Sequence, residues 1–175
     1  MHTIHEAEMM LVAVTLESCE AERQGQLAGF LDAKLPPVWP PPHVEGVSAI
    51  FEEILRESPY LVGFLGWYWT AMSSNERHLV GFGGFKGAPD ERGWLEIGYA
   101  VSEAHQGHGY ATRAVGALTR WARTCDQVKG VRAQVRPANM ASRKVLKRNG
   151  FVYAETIYNR EEGHTELLFL RTFDS

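Results

Sequence analysis

Apolar and polar positions alternate most regularly between Trp94 and Val101. Leu95, Ile97, Tyr99 and Val101 share one face, and Trp94, Glu96, Gly98 and Ala100 share the other. A period of two predicts a strand. Its second face sets one carboxylate beside two very small residues, which leaves room for something to lie against the sheet. From Gly109 to Thr124 the period lengthens. Ala111, Ala114, Val115, Leu118, Trp121 and Ala122 fall on one stripe, which predicts an amphipathic helix. Val131 to Arg136 alternates again, with Val131, Ala133 and Val135 inward. Asn139 to Asn149 is expected as a second helix, with Ala141, Val145 and Leu146 inward, Asn139 as N-cap and Gly150 at C′. Val152 to Tyr158 and Glu166 to Arg171 are expected to close as an antiparallel pair around Asn159 to His164.

The first half is less regular. Leu11 to Val14 reads as a short strand. Glu17 to about Leu35 reads as one helix, stopped by Pro36-Pro37-Val38-Trp39-Pro40-Pro41-Pro42. That run is a stiff connection, because proline fixes φ and lacks the N–H. Val47 to Arg56 is expected as a helix with Ile50, Ile54 and Leu55 on one side. Leu61 to Thr70 is apolar on both faces, the pattern of a strand covered on both sides. Leu79 to Lys86 is a further strand whose glycines imply close backbone approach, and residues 87–93 form a turn. His2, His5, Glu6 and Glu8 are expected as a frayed terminus. Trp67, Tyr68 and Trp69 read as core, and Trp39 as a wall of an acceptor site. The element order gives a mixed α/β sheet in one domain, residues 1–175.

Composition narrows the function. Hydrophobic residues make up 45% and charged residues 22%, with a net charge of −3. This suits one globular core and gives no global pull toward nucleic acid or anionic membrane. The longest apolar stretch, Leu61 to Met72, is too short to span a bilayer as a helix. The N-terminus has no basic segment leading into an apolar one, so no secretory signal is expected. Cys19 and Cys125 are far apart and suggest neither a disulfide scaffold nor a metal knuckle, which makes a reducing cytoplasm the expected setting. His105 and His108 lack a third ligand in sequence reach, so no metal is expected.

The segment that carries chemistry is Glu103 to Ala114, between a strand and a helix. A chain turning there gathers several backbone N–H groups, and the helix start adds about half a positive charge to the same spot. Gly107 and Gly109 let a ligand approach the main chain, and a diphosphate is the natural guest. Neither common nucleotide motif fits. GxxxxGK[ST] does not occur, and Gly107-His108-Gly109-Tyr110-Ala111-Thr112 puts Thr where a dinucleotide fingerprint needs its last glycine.

Gln106-x-x-Gly109-x-Ala111, after the strand ending at Val101, resembles the acetyl-CoA signature of the GNAT N-acetyltransferases. Asn139 to Phe151, an Asn-x-x-Ser helix ending in Gly-Phe, resembles their second signature. The pair looks most like the ribosomal-protein-alanine N-acetyltransferase branch. The strong match runs from about Trp94 to Tyr153. The resemblance implies a largely antiparallel sheet splayed between the strands at Trp94 to Val101 and Val131 to Arg136, the fourth and fifth by this reading. It implies acetyl-CoA as co-substrate, with pantetheine on the backbone near Ala100 and Val101. The pyrophosphate is expected on Gln106, Gly107, His108, Gly109, Tyr110, Ala111 and Thr112, and the thiol end near Asn139 and Ser142.

The implied reaction is direct attack of a neutral primary amine on the thioester, in a ternary complex. A lysine amine has a reference pKa near ~10.4 and an α-amine near ~7.7–8.0, so a base helps. Glu96 is the candidate base, directly or through water; it also reads as a strand-end carboxylate or a partner of Arg136. Many family members carry a general-acid tyrosine where this chain has Leu146. Ser142 is the implied contact to sulfur, as a hydrogen-bonding group, and also reads as a serine bonding within its own helix turn. Neither cysteine is placed for a covalent acetyl intermediate. The acceptor, a protein N-terminus or a small-molecule amine, is expected between Pro36 to Val47 and the Asn159 to His164 turn, where Glu161 and Glu162 stand ready for a cation. A homodimer is compatible with the pattern. The rival from another class is a non-catalytic acyl-CoA sensor or scaffold, which would bind CoA tightly and turn over no amine.

Overall fold

The computed structural model describes residues 2–160 and 163–173. Its strands are β1 (Thr3–Glu6), β2 (Met9–Ala13), β3 (Gly66–Ser73), β4 (Glu76–Phe85), β5 (Trp94–Val101), β6 (Gly130–Val135), β7 (Val152–Asn159) and β8 (His164–Thr172). The helices are α1 (Leu16–Arg23), α2 (Leu27–Leu31), α3 (Val47–Glu57), α4 (Tyr110–Arg123) and α5 (Met140–Arg148). Among the described residues the strands form one sheet in the order β1-β2-β3-β4-β5-β6-β8-β7. Neighbours are antiparallel except β5 and β6. A parallel pair needs a crossover, and α4 supplies it.

The all-apolar run of β3 makes it central. Trp67, Tyr68 and Trp69 are each 0% exposed, so these three aromatics are core. Trp67 and Trp69 join the cluster under α4 and α5, and Tyr68 joins the one under α1 to α3. Each face of the sheet therefore has its own core. On α4, Ala114, Val115, Leu118 and Ala122 are buried as the 3.6-residue period requires. Trp121 adds an edge contact to Trp67 at 5.5 Å and stacks on Phe85 at 5.7 Å. Burying Val115 and Leu118 is worth about 1.5–3 kcal/mol each.

Several expectations for the first half are corrected. Thr3–Glu6 is a strand, not a frayed end. It pairs with β2, and Glu6 and Glu8 reach Arg120 and Arg113 on α4. The first helix is two. A capping box between Thr15 and Ser18 starts α1, but Gly25 at φ +71° turns the chain out of the helix. Asp32, also left-handed, ends α2 before the prolines, and Lys34 then bonds alongside β4. On α3 the buried residues are Phe51 and Leu55, while Ile50 is exposed. The central strand begins at Gly66 because Pro59–Leu61 forms a 3-10 turn. On α5, Leu146 is buried but Ala141 is exposed.

The glycines of β4 allow close approach, as expected. A Cβ on Gly83 would lie 2.3 Å from Tyr99 Cβ and 2.6 Å from Tyr99 Cα. Gly83→Ala is expected to push β4 from β5 at a cost of about 1–3 kcal/mol. The check is a lower denaturation midpoint at unchanged m-value.

Candidate active site

The parallel pair β5–β6 sets up the site. Both strands end at the same edge, and each is followed there by a helix N-terminus, α4 after β5 and α5 after β6. Open α/β sheets bind ligands beyond the carboxyl ends of such strands. The two strands pair only at Trp94 with Gly130, Leu95 with Val131 and Glu96 with Arg132. Among the described residues the pairing stops there, although β5 runs on to Val101 and β6 to Val135. The expected splay is present. The opening is a cavity of about 630 Å³, walled by Ile97 and Tyr99 on one side, Ala133 and Val135 on the other, with Asn139 and Ser142 from α5.

Register decides which main-chain groups face the gap. Lys86 donates to Glu96 and Ser102 donates to Val80 in one unbroken antiparallel register. The even residues of β5 therefore bond to β4, and the odd ones point their N–H and C=O groups toward the gap. This gives the gap to Tyr99 and Val101. Ala100, expected beside Val101, has its amide and carbonyl on the side of Phe82 of β4.

The loop after β5 is a preformed cradle. Gly107 and Gly109 have φ of +79° and +77°, and a Cβ on either would meet nothing within 4 Å. Both are glycine for the turn, and the space beside them is open. The helical ladder of α4 starts with Arg113 N–H bonding Gly109 O, so the amides of Tyr110, Ala111 and Thr112 have no intrahelical acceptor. Side chains lock the loop. Gln106 donates to Val101 O at 3.2 Å, His108 Nδ1 lies 2.8 Å from Gln106 O, and Arg113 sits over the Tyr110 ring. His108 stacks on Tyr110 and His105 packs against His78, so the two loop histidines turn to different partners. Burial, then the nearby His78 and His108, hold His105 below the usual imidazole range.

On the α5 side, Asn139 caps its helix as expected, accepting from Ser142 N at 3.0 Å. The Ser142 hydroxyl does not bond within its turn. It donates across the gap to Tyr99 Oη at 2.8 Å. Leu146, at the position of the usual general acid, is buried. Burial pushes the Tyr99 hydroxyl up to about 12, opposed by the Ser142 hydrogen bond. Sequence reasoning placed Tyr99 on a strand face with Leu95, Ile97 and Val101 and gave its side chain no role. Its hydroxyl, the one polar group on that face, was the available signal.

Glu96 is the last residue of β5 paired with β6, on the opposite face from Tyr99. Its partners are Lys86 and Arg132, not Arg136: Lys86 Nζ is 2.5 Å from Oε1 and Arg132 Nε is 3.3 Å from Oε2. Gln134 Nε2 lies 3.4 Å from Oε2, and Arg132 also reaches Asp90 at 2.9 Å. Two cations thus hold the carboxylate at the point where the two strands part. Beside it is a smaller cavity of about 190 Å³, lined mainly by Val44, Val47, Phe51 and Phe82, with Lys86 at its edge. Both cavities include Gly98 and Tyr99 of β5 in their walls.

The remaining candidates fall outside these walls. Trp39 packs near Tyr68 and Phe82 and donates to Glu22 at 2.8 Å; Tyr68 donates to the other oxygen of Glu22 at 2.8 Å. Trp39 thus braces the proline connection, and Val44 from that connection lines the smaller cavity. Cys19 is buried and Cys125 half-buried, and burial pushes both thiols up. Neither lines either cavity. Glu161 and Glu162 lie outside the described residues. Among the described residues no group of three His, Cys, Asp or Glu side chains could hold a metal, and no helix is long and apolar enough to cross a membrane.

The acetyltransferase (GNAT) domain model matches residues 24–152. The chain is 33% identical, over 114 residues, to the uncharacterized N-acetyltransferase YjdG of Bacillus subtilis (strain 168); the match covers 65% of this chain and 67% of that one. Among solved structures it resembles RimL, the ribosomal L7/L12 alpha-N-protein acetyltransferase in complex with coenzyme A. That likeness has a TM-score of 0.69 and 19% identity, over 99% of each chain. It also resembles the ribosomal-protein-S5-alanine acetyltransferase from Vibrio fischeri, with a TM-score of 0.67 and 17% identity, over 100% of this chain and 98% of that one. At such identities these two structures speak to the fold.

Proposed function

Since this chain belongs to the GNAT acetyltransferase family, we propose that it moves an acetyl group from acetyl-CoA to a primary amine by direct attack in a ternary complex. The observation that carries this reading is the parting of β5 from β6 after Glu96, with an amide cradle at one end of the gap and the Tyr99–Ser142 pair at the other. The residues fit acetyl-CoA. Gly107 and Gly109 leave open the space a Cβ would fill, and the amides of residues 110–112 face a diphosphate. Tyr99 and Val101 offer main-chain groups to an amide-bearing chain, and Asn139 and Ser142 stand at its thiol end. When bound, the co-substrate supplies the activated acetyl group. Glu96 takes the amine proton, directly or through water, and a Tyr99 or Val101 amide polarises the thioester carbonyl. RimL and the Vibrio fischeri protein are named for ribosomal-protein substrates, which favours a peptide N-terminus as acceptor.

The smaller cavity favours a second reading of the acceptor. About 190 Å³ walled by Val44, Val47, Phe51 and Phe82 suits one small apolar side chain, or the body of a small-molecule amine. We take residues 1–175 as one domain: β1, β2 and β8 lie outside the family match yet pair into the same sheet. A cytoplasmic setting accords with the two free thiols.

The test is thiol release from acetyl-CoA across a panel of peptides and small amines. Turnover with any primary amine supports acetyl transfer, and the best acceptor class separates the two readings. Tight CoA binding with no turnover on any amine would favour the non-catalytic sensor instead.

A further inference from the structure

The leaving sulfur needs a partner, and Leu146 brings no polar group to the place where a general acid is usual. Other polar side chains on the cavity wall have partners of their own: Asn139 Oδ1 accepts from Ser142 N, Gln134 donates to Glu96, Glu166 accepts from Asn159, and Arg136 is also partnered. Tyr99 is different. Its Oη already accepts the Ser142 Oγ hydrogen at 2.8 Å, so its own hydrogen must point elsewhere. The protein acceptor within reach is Ser142 O, at 3.4 Å, close to the limit of a hydrogen bond. A polarised phenol with a poor acceptor, on the wall of the cavity that Asn139 and Ser142 line, is a donor waiting for a better one.

We propose that Tyr99, aimed by Ser142, donates its hydroxyl hydrogen to the departing thiolate, and so replaces the absent general acid as an electrostatic partner of the leaving group. This rests on the acetyl-transfer reading above. In that reaction the amine nitrogen forms a bond to the acetyl carbonyl carbon and gives up one proton to Glu96 or water. The carbon–sulfur bond breaks and its electron pair stays on sulfur as thiolate. Tyr99 holds that charge by hydrogen bonding and keeps its proton. A phenol raised to about 12 holds its proton more tightly than a thiol does, the cysteine reference being ~8.5, and so does not protonate the thiolate. The thiolate leaves with CoA and is protonated by solvent as the pH dictates.

The measurement is the pKa of the CoA thiol on the protein, followed by the ultraviolet absorbance of its thiolate, in the native chain, Tyr99→Phe and Ser142→Ala. A hydrogen bond to a charged group corresponds to a shift of about one to two units, so the bound thiol in the native chain should titrate that far below its value in free CoA. Tyr99→Phe should return it to near its value in free CoA, and Ser142→Ala should raise it by less. Phe keeps the ring beside Trp69, at 6.0 Å between centroids, so CoA affinity at a pH well below the bound thiol's titration, where the thiol is neutral, should stay within about 2-fold. With an accepted amine, Tyr99→Phe should lower kcat about 10-fold or more and leave KM for acetyl-CoA alone. Equal thiol titration in the native chain and Tyr99→Phe would overturn the proposal while leaving acetyl transfer standing. A native chain that binds no CoA would overturn both.

Discussion

Glu96→Gln should lower kcat/KM by about 10²–10⁴-fold, the range for losing a positioned general base. The loss should be greatest at low pH, where the amine carries a proton that must be removed before attack. It should shrink as pH rises toward the amine's own pKa. Gln keeps the size of the side chain, but Lys86 and Arg132 hold different oxygens of Glu96, so its single oxygen can accept from only one of them. The arrangement also supports another outcome. Two cations on the carboxylate make Glu96 a fixed negative charge as well as a base. A uniform loss across pH would mean that the charge matters for orienting Lys86 and Arg132, and would remove the base assignment.

Gly109→Val should weaken CoA binding by about 100-fold or more, with fold stability changed far less. A β-branched residue resists the left-handed φ that Gly109 adopts. Relieving that strain turns the amides of residues 110–112 away from the diphosphate, and each charge-assisted bond lost is worth about 1.5–3 kcal/mol. Gly25→Val is the matched control: its φ is +71°, it also has nothing within 4 Å of a Cβ, and it lies between α1 and α2, away from the cradle. It should show a similar strain cost and unchanged CoA affinity by calorimetric titration. An affinity for Gly109→Val within about 3-fold of native would place the diphosphate somewhere other than this loop.

The second half of the chain was legible because its signals are local. The Asn139 cap, Gly150 after α5, the α4 stripe and the bounds of β5 were all readable from residues a few positions apart. The glycines of the cradle were readable for the same reason. The first half was not. The end of α1 depends on how Gly25 turns, and β1 and the turn after it are held by Arg120 and Arg113, more than a hundred residues away. Ile50 fits an apolar face on paper, yet Phe51 is the residue that reaches Phe82 across the sheet.

What the residues alone determined is which face each side chain takes, and where a strand gives way to a glycine turn and a helix. Cβ direction and φ preference are properties of neighbouring residues, so a linear pattern carries them. What only the tertiary structure decided is who meets whom: Glu96 with Lys86 and Arg132, Ser142 with Tyr99, and the point where β5 and β6 part. Those are matters of register and packing between distant segments, and the periodicity of a strand is unchanged when its partner slides or leaves.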